Sequence, residues 1–121
     1  MKKDVVTIVV LIYITICLFF AGTYNDNSPP DNMTYLGTYE ITAYEETGNC
    51  CANGNYPTVG YTIACNSLDF GTKVYIDGVG ERVVEDRGGS SHGDNWIDLY
   101  LGDVDACYEW GIQYRDVWLA E

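Results

Sequence analysis

The stretch Trp96-Ile97-Asp98-Leu99-Tyr100-Leu101 places one carboxylate between two aromatic side chains. In a strand, successive side chains point to opposite faces, so Ile97, Leu99 and Leu101 form one face suited to a core. Trp96, Asp98 and Tyr100 form the other. A carboxylate flanked by rings is partly desolvated, and desolvation raises its pKa. A raised pKa is what a general acid needs near neutral pH. The rings also offer flat apolar faces that suit the C–H face of a sugar. An ordinary solvated aspartate on a strand edge is the competing reading, and periodicity does not separate the two.

Asp86 ends a second strand pattern and runs into Arg87-Gly88-Gly89-Ser90-Ser91-His92-Gly93. The glycines let backbone approach a ligand or another strand closely, or simply make a turn. His92 is the only histidine; with no second ligand at metal spacing it reads as a solvated loop residue. There is no G-x-S-x-G elbow, phosphate loop or dinucleotide fingerprint. A cysteine–histidine dyad is disfavoured if the thiols are bridged. Carboxylates remain as the catalytic candidates, and no metal or other cofactor is expected.

These residues need a scaffold, and the rest of the chain supplies one. From Tyr35 onward it is rich in Tyr, Val, Ile, Thr and Gly, with turn signals at short intervals, as in a small barrel or sandwich. Strands are expected at Gly37–Tyr44, Tyr61–Cys65, Thr72–Ile76, Arg82–Asp86, Trp96–Leu101 and Ile112–Leu119. Asp77-Gly78 and Gly80 mark a tight hairpin. One helix is expected over Val104–Trp110, capped by Asp103 and ended by Gly111. Asn49–Thr58, with Gly54 and Pro57, reads as a loop.

This region holds Cys50, Cys51, Cys65 and Cys107, an even count in a small domain. Adjacent cysteines make a strained ring when joined, so Cys50 and Cys51 are each expected to pair with Cys65 or Cys107. Each bridge would contribute roughly 2–4 kcal/mol. A four-thiolate zinc site is the weaker alternative, because no C-x-x-C spacing occurs.

At the N-terminus, Met1-Lys2-Lys3 precedes an apolar run from Val5 to Ala21. A basic start before such a run is an export signal, either cleaved or kept as an anchor. The expected organisation is a signal peptide or membrane anchor over 1–21, a flexible tether over 22–34 containing Ser28-Pro29-Pro30-Asp31, and a folded domain over 35–121. Outside the first segment only Lys73, Arg82, Arg87 and Arg115 face seventeen Asp and Glu. That balance argues against nucleic acid, whose phosphates want a basic face, and against electrostatic adhesion to anionic lipid or wall polymers. A membrane is expected to be touched only by the N-terminal segment. A neutral or cationic partner, or an uncharged sugar chain, fits better, although the acidity is explained as well by solubility alone.

Three stretches together resemble the three-aspartate (3D) domain of secreted bacterial wall proteins. They are Glu40-Ile41-Thr42-Ala43-Tyr44; Pro57-Thr58-Val59-Gly60-Tyr61-Thr62-Ile63-Ala64 leading to Gly71-Thr72-Lys73-Val74-Tyr75-Ile76; and Val84-Glu85-Asp86-Arg87-Gly88-Gly89 with Trp96-Ile97-Asp98-Leu99-Tyr100. The closing Arg115-Asp116-Val117-Trp118 is similar to the end of that domain. The resemblance implies a mainly β fold, a small six-stranded double-psi β-barrel with one short helix, related to the membrane-bound lytic transglycosylase A group. It implies that Asp98 is the general acid/base, that Asp86 lies beside it, and that Thr42 lines the same groove. Tyr44, Asn66, Trp96 and Tyr100 are the accompanying substrate-binding candidates. The chain departs from the family at Asn66, where the first aspartate would stand.

The resemblance further implies a secreted or anchored monomer acting on peptidoglycan glycan strands as a lytic transglycosylase. Such an enzyme needs one carboxylate, where ordinary glycosidases use two. A non-catalytic wall-binding module is the second reading, since expansin-like proteins are related barrels that do not hydrolyse their polysaccharide. A small structural domain is the third.

Overall fold

The computed structural model describes residue 29 and residues 31–120. The apolar run over 5–21 and most of the tether lie outside the described residues. Among those described, no helix is long and apolar enough to cross a membrane.

Six strands follow one another: β1 (Thr34–Glu45), β2 (Thr62–Cys65), β3 (Lys73–Ile76), β4 (Gly80–Asp86), β5 (Trp96–Gly102) and β6 (Gln113–Leu119), with helix α1 (Val104–Trp110) between the last two. They close into a barrel in the order β1-β5-β2-β4-β3-β6. β1 with β5 and β2 with β4 run parallel; the other four pairings are antiparallel. A closed barrel leaves no unpaired sheet edge. The six-stranded β-barrel with one helix is the architecture expected for a double-psi barrel.

Alternation builds the core. Ile41, Ile63, Val74, Ile76, Val84, Ile97, Leu99 and Val117 are fully or almost fully buried inside the barrel. On β5, Ile97 and Leu99 point in, which turns Trp96, Asp98 and Tyr100 to the opposite face. The helix has the predicted bounds. Asp103 caps it by accepting the Ala106 N–H at 3.0 Å, and Gly111, at φ 65°, returns its N–H to the Cys107 carbonyl.

β1 begins three residues earlier than expected. Gly37 reads as a strand start in the sequence, but it sits at φ 125° within a bulge, and pairing to β6 continues through Tyr35 and Thr34 beyond it. The Tyr35 and Trp118 rings face each other across that extension, 5.5 Å between centroids.

The expected disulfides are not found: Cys50, Cys51, Cys65 and Cys107 are all free thiols. Cys65 is fully buried in the barrel core, its Sγ 3.5 Å from Ser67 Oγ. Cys51 packs elsewhere, against Tyr44 and Asp86, and Cys107 lies on α1 in a cleft with Ala43 and Glu45. Burial first, then the charges of Asp86 and Glu85, push the Cys51 thiol up to about 11. Thiol–disulfide exchange proceeds through the thiolate, so that environment also slows bridging. Nor do three or more His, Cys, Asp or Glu side chains among the described residues converge on a metal-sized site.

Two carboxylates do the work expected of the cysteines. Buried Glu85 accepts from Thr62 Oγ1 at 2.7 Å, Asn55 Nδ2 at 3.0 Å and Asn53 Nδ2 at 3.2 Å. Next to it, Asp86 Oδ1 accepts the Ala52 N–H at 2.9 Å. Together they hold the loop between β1 and β2 against β4.

Candidate active site

Strand register puts the site residues in one row across four strands. Thr42 on β1 stands opposite Asp98 on β5. Asp98 stands opposite Ala64 on β2, and Ala64 stands opposite Asp86 on β4. With one strand interposed, the two aspartate Cα atoms are set roughly 10 Å apart. Ala64 is the small residue between them, itself only 3% exposed.

Asp98 is half-buried, and burial is the main influence raising its carboxyl above the ordinary range. Asp86 adds to that rise. The hydrogen bond from Thr42 Oγ1, at 2.9 Å to Asp98 Oδ1, opposes it, as does His92. Thr42 is itself oriented, because the Trp96 indole N–H donates to its oxygen at 3.1 Å. A chain of two hydrogen bonds therefore runs from Trp96 through Thr42 to Asp98.

Trp96 is only 4% exposed. The His92 ring lies flat on it, 3.8 Å between centroids and 3° from parallel. Gly88 packs against its edge so closely that a Cβ there would run into Cη2 and Cζ3. The indole consequently offers no open face for a sugar, and its place is that of a positioning residue. Tyr100 is likewise buried and stacks in a tilted pair with Tyr44, 5.1 Å between centroids.

Asp86 is occupied by donors. Its Oδ1 accepts the N–H groups of Ala52 and Arg87, both at 2.9 Å, and its Oδ2 faces the Tyr44 hydroxyl at 3.3 Å. Burial above all, and then the Asp86 charge, raise the Tyr44 pKa, so its proton stays in that bond. Tyr44 thus links the Asp86 end of the row to β1.

Asn66 closes the site on the far side. Its Oδ1 accepts the Gly88 N–H at 2.9 Å while its Nδ2 donates to the Gly89 carbonyl at 3.1 Å. An ionised aspartate could make the first bond and not the second, since it has no donor. The amide is therefore fitted to this loop. Ser67 adds a third tie, donating to the Asp94 carbonyl at 2.7 Å.

A family model described as the 3D domain matches residues 61–121, half of the chain, spanning β2 to β6 together with Asn66, Asp86 and Asp98. The chain belongs to the 3D domain family. Thr42 and Tyr44 lie outside the matched segment, yet β1 completes the barrel of this 3D domain and brings both residues to the row. Among curated proteins no match to the chain is found.

Two residues that matter to this 3D domain are inconspicuous in the sequence. Glu85 lacks a motif of its own; only the two asparagines of the 53–55 turn, far away in the chain, signal what it binds. His92 carries a signal only through Trp96, four residues on, and a loop gives no periodicity from which to infer a stack.

Proposed function

We propose that this 3D domain is a peptidoglycan lytic transglycosylase in which Asp98 is the single general acid/base. The observation that carries the reading is Asp98 itself: a half-buried carboxyl whose proton is favoured by desolvation, held in one direction by Thr42, in one strand row with Asp86 across Ala64. In the reaction, Asp98 gives its proton to the glycosidic oxygen as the C1–O bond breaks. The resulting carboxylate takes the proton of the muramyl C6 hydroxyl while that oxygen bonds to C1. The proton is returned, an anhydro ring is formed, and no water is consumed. Asp86, occupied by three donors, fixes the loop between β1 and β2 and shapes the groove.

The single-carboxylate reaction accords with the residue inventory, because a second proton-transfer group is not required. It also accommodates Asn66, whose amide holds the Gly88-Gly89 turn. An acidic, exported or membrane-anchored wall protein is the setting this reading implies. The test is digestion of purified peptidoglycan in oxygen-18 water, with mass analysis of the products. Anhydromuramyl ends without solvent oxygen are expected; reducing ends carrying oxygen-18 would make the protein a hydrolase.

The three donors already held by Asp86, with an amide at position 66, favour a second reading: a wall-binding module that uses the same groove without cleavage. Binding to peptidoglycan with no released fragments would select it.

A further inference from the structure

Two clefts open along the β1/β5 pair, one lined at its Glu40 and Trp96 end and the other at its Tyr44 end. Because the strands are parallel and in register, Glu40 opposite Trp96 lies to one side of the Thr42–Asp98 pair, and Tyr44 opposite Tyr100 lies to the other. Each is two residues away, about 7 Å along the strand. The cleft on the Tyr44 side, about 420 Å³, is lined by Ala43, Tyr44, Glu45, Val104, Cys107 and Tyr108. The cleft on the Trp96 side, about 590 Å³, is lined by Glu40, Ser91, His92, Asp94, Asn95 and Trp96. Both fall within the roughly 300–1,000 Å³ of small-molecule sites.

The Trp96-side cleft has a definite chemistry. Glu40, Asp94, Ser91 and Asn95 supply hydroxyl and carboxylate acceptors and one side-chain amide, and no lysine or arginine lines it. An anionic ring meets two carboxylates there, whereas a neutral ring with hydroxyl and acetamido groups meets partners for both. One face of the His92 ring is packed on Trp96, and the residue is exposed and lines the cleft. The loop that carries it is held in place. Asn66 clamps Gly88 and Gly89, Ser67 holds Asp94, and the His92 N–H closes a turn onto the Gly89 carbonyl at 3.2 Å.

We infer that the cleft beside the Trp96–His92 stack is a subsite for an uncharged N-acetylhexosamine ring adjoining the bond addressed by Asp98, and that His92 is its specificity-determining residue. The indole acts as a rigid backing, and the imidazole is the surface on which the sugar's C–H face rests. This inference rests on the reading of the groove as a glycan site, and it adds the unit taken on this side and the residue that grips it.

Calorimetric titration of the full chain with tetra-N-acetylchitotetraose tests it. The wild-type chain should bind this neutral probe. His92→Ala and His92→Gln should each bind about tenfold more weakly, equivalent to about 1.4 kcal/mol. His92→Phe, which keeps a ring on Trp96, should stay close to wild type. Unchanged affinity in whichever of the first two variants folds would overturn the inference, as would an equal loss in His92→Phe or absence of binding by the wild-type chain. The outcome is separable from that of the proposed reaction. If Asp98→Asn still releases anhydromuramyl ends, the reaction is wrong while the affinities continue to judge the subsite.

Discussion

Thr42 donates to Asp98 at 2.9 Å with its own oxygen occupied by the Trp96 indole N–H. The indole takes up the acceptor side of the hydroxyl, so the hydrogen is directed at Asp98 Oδ1. This fixes the orientation of the carboxyl and offsets part of the rise that burial imposes on its pKa.

Replacing Thr42 by Val removes that opposition. The Asp98 pKa should rise further, so the alkaline limb of the pH–rate profile moves to higher pH, because the general acid keeps its proton longer. The maximal rate should fall roughly tenfold through lost orientation. The Trp96 N–H, left without its acceptor in a buried place, should cost about 2 kcal/mol of stability. A pH series of product release with a parallel urea titration checks all three.

Gly88→Ala should damage the site from behind. The added methyl meets the Trp96 ring edge, and nothing there is flexible enough to yield cheaply. Overpacking of this kind costs about 1–3 kcal/mol. The displaced indole would release Thr42, so activity should fall at least as far as in Thr42→Val. Near-ultraviolet circular dichroism, which reports on tryptophan packing, should change in step.

Glu85 should give the fold an acid-sensitive component. Burial, the largest influence, pushes its pKa up, but the hydrogen bonds from Thr62, Asn55 and Asn53 together outweigh it, and the net shift is downward. A carboxyl lowered on folding stabilises the protein above its unfolded pKa of about 4.3, and that stability is lost as pH falls through the folded value. Glu85→Gln should therefore be less stable by about 2 kcal/mol at pH 7, with the deficit shrinking below about pH 4. Urea unfolding at both pH values measures it.

Asn66→Asp introduces the aspartate that the resemblance places at this position, and it should not raise product release. The variant keeps the acceptor for the Gly88 N–H and places a carboxylate oxygen against the Gly89 carbonyl. A loss of about 1–2 kcal/mol is expected. Thermal melting checks the cost, and a gain in product release would show that position 66 takes part in the reaction.

The alternation around Asp98 made its strand face and its core-facing neighbours legible, because a period of two is a local property. The helix was equally legible from its two caps. Register was not: that Ala64 stands between Asp98 and Asp86 depends on which strands pair, and the β5-β2-β4 order brings together segments far apart in the chain. The cysteines suggested how the 49–58 loop is held, whereas Glu85 and Asp86 hold it. Buried carboxylates satisfied by asparagine side chains and backbone N–H groups leave no pattern comparable to cysteine spacing. His92 was hidden for a similar reason, since its stack on Trp96 needs the 88–94 loop to fold back through the Asn66 clamp.

In the proposed reaction Asp98 alone performs both proton transfers. Release of anhydromuramyl ends from purified peptidoglycan, by the full chain and by Asp98→Asn, measures that role, with folding of the variant verified by circular dichroism. Asparagine retains an acceptor for Thr42 and cannot donate a carboxyl proton, so release should fall by about a thousandfold in a protein that melts no earlier than wild type. Undiminished release by the folded variant would contradict a catalytic Asp98.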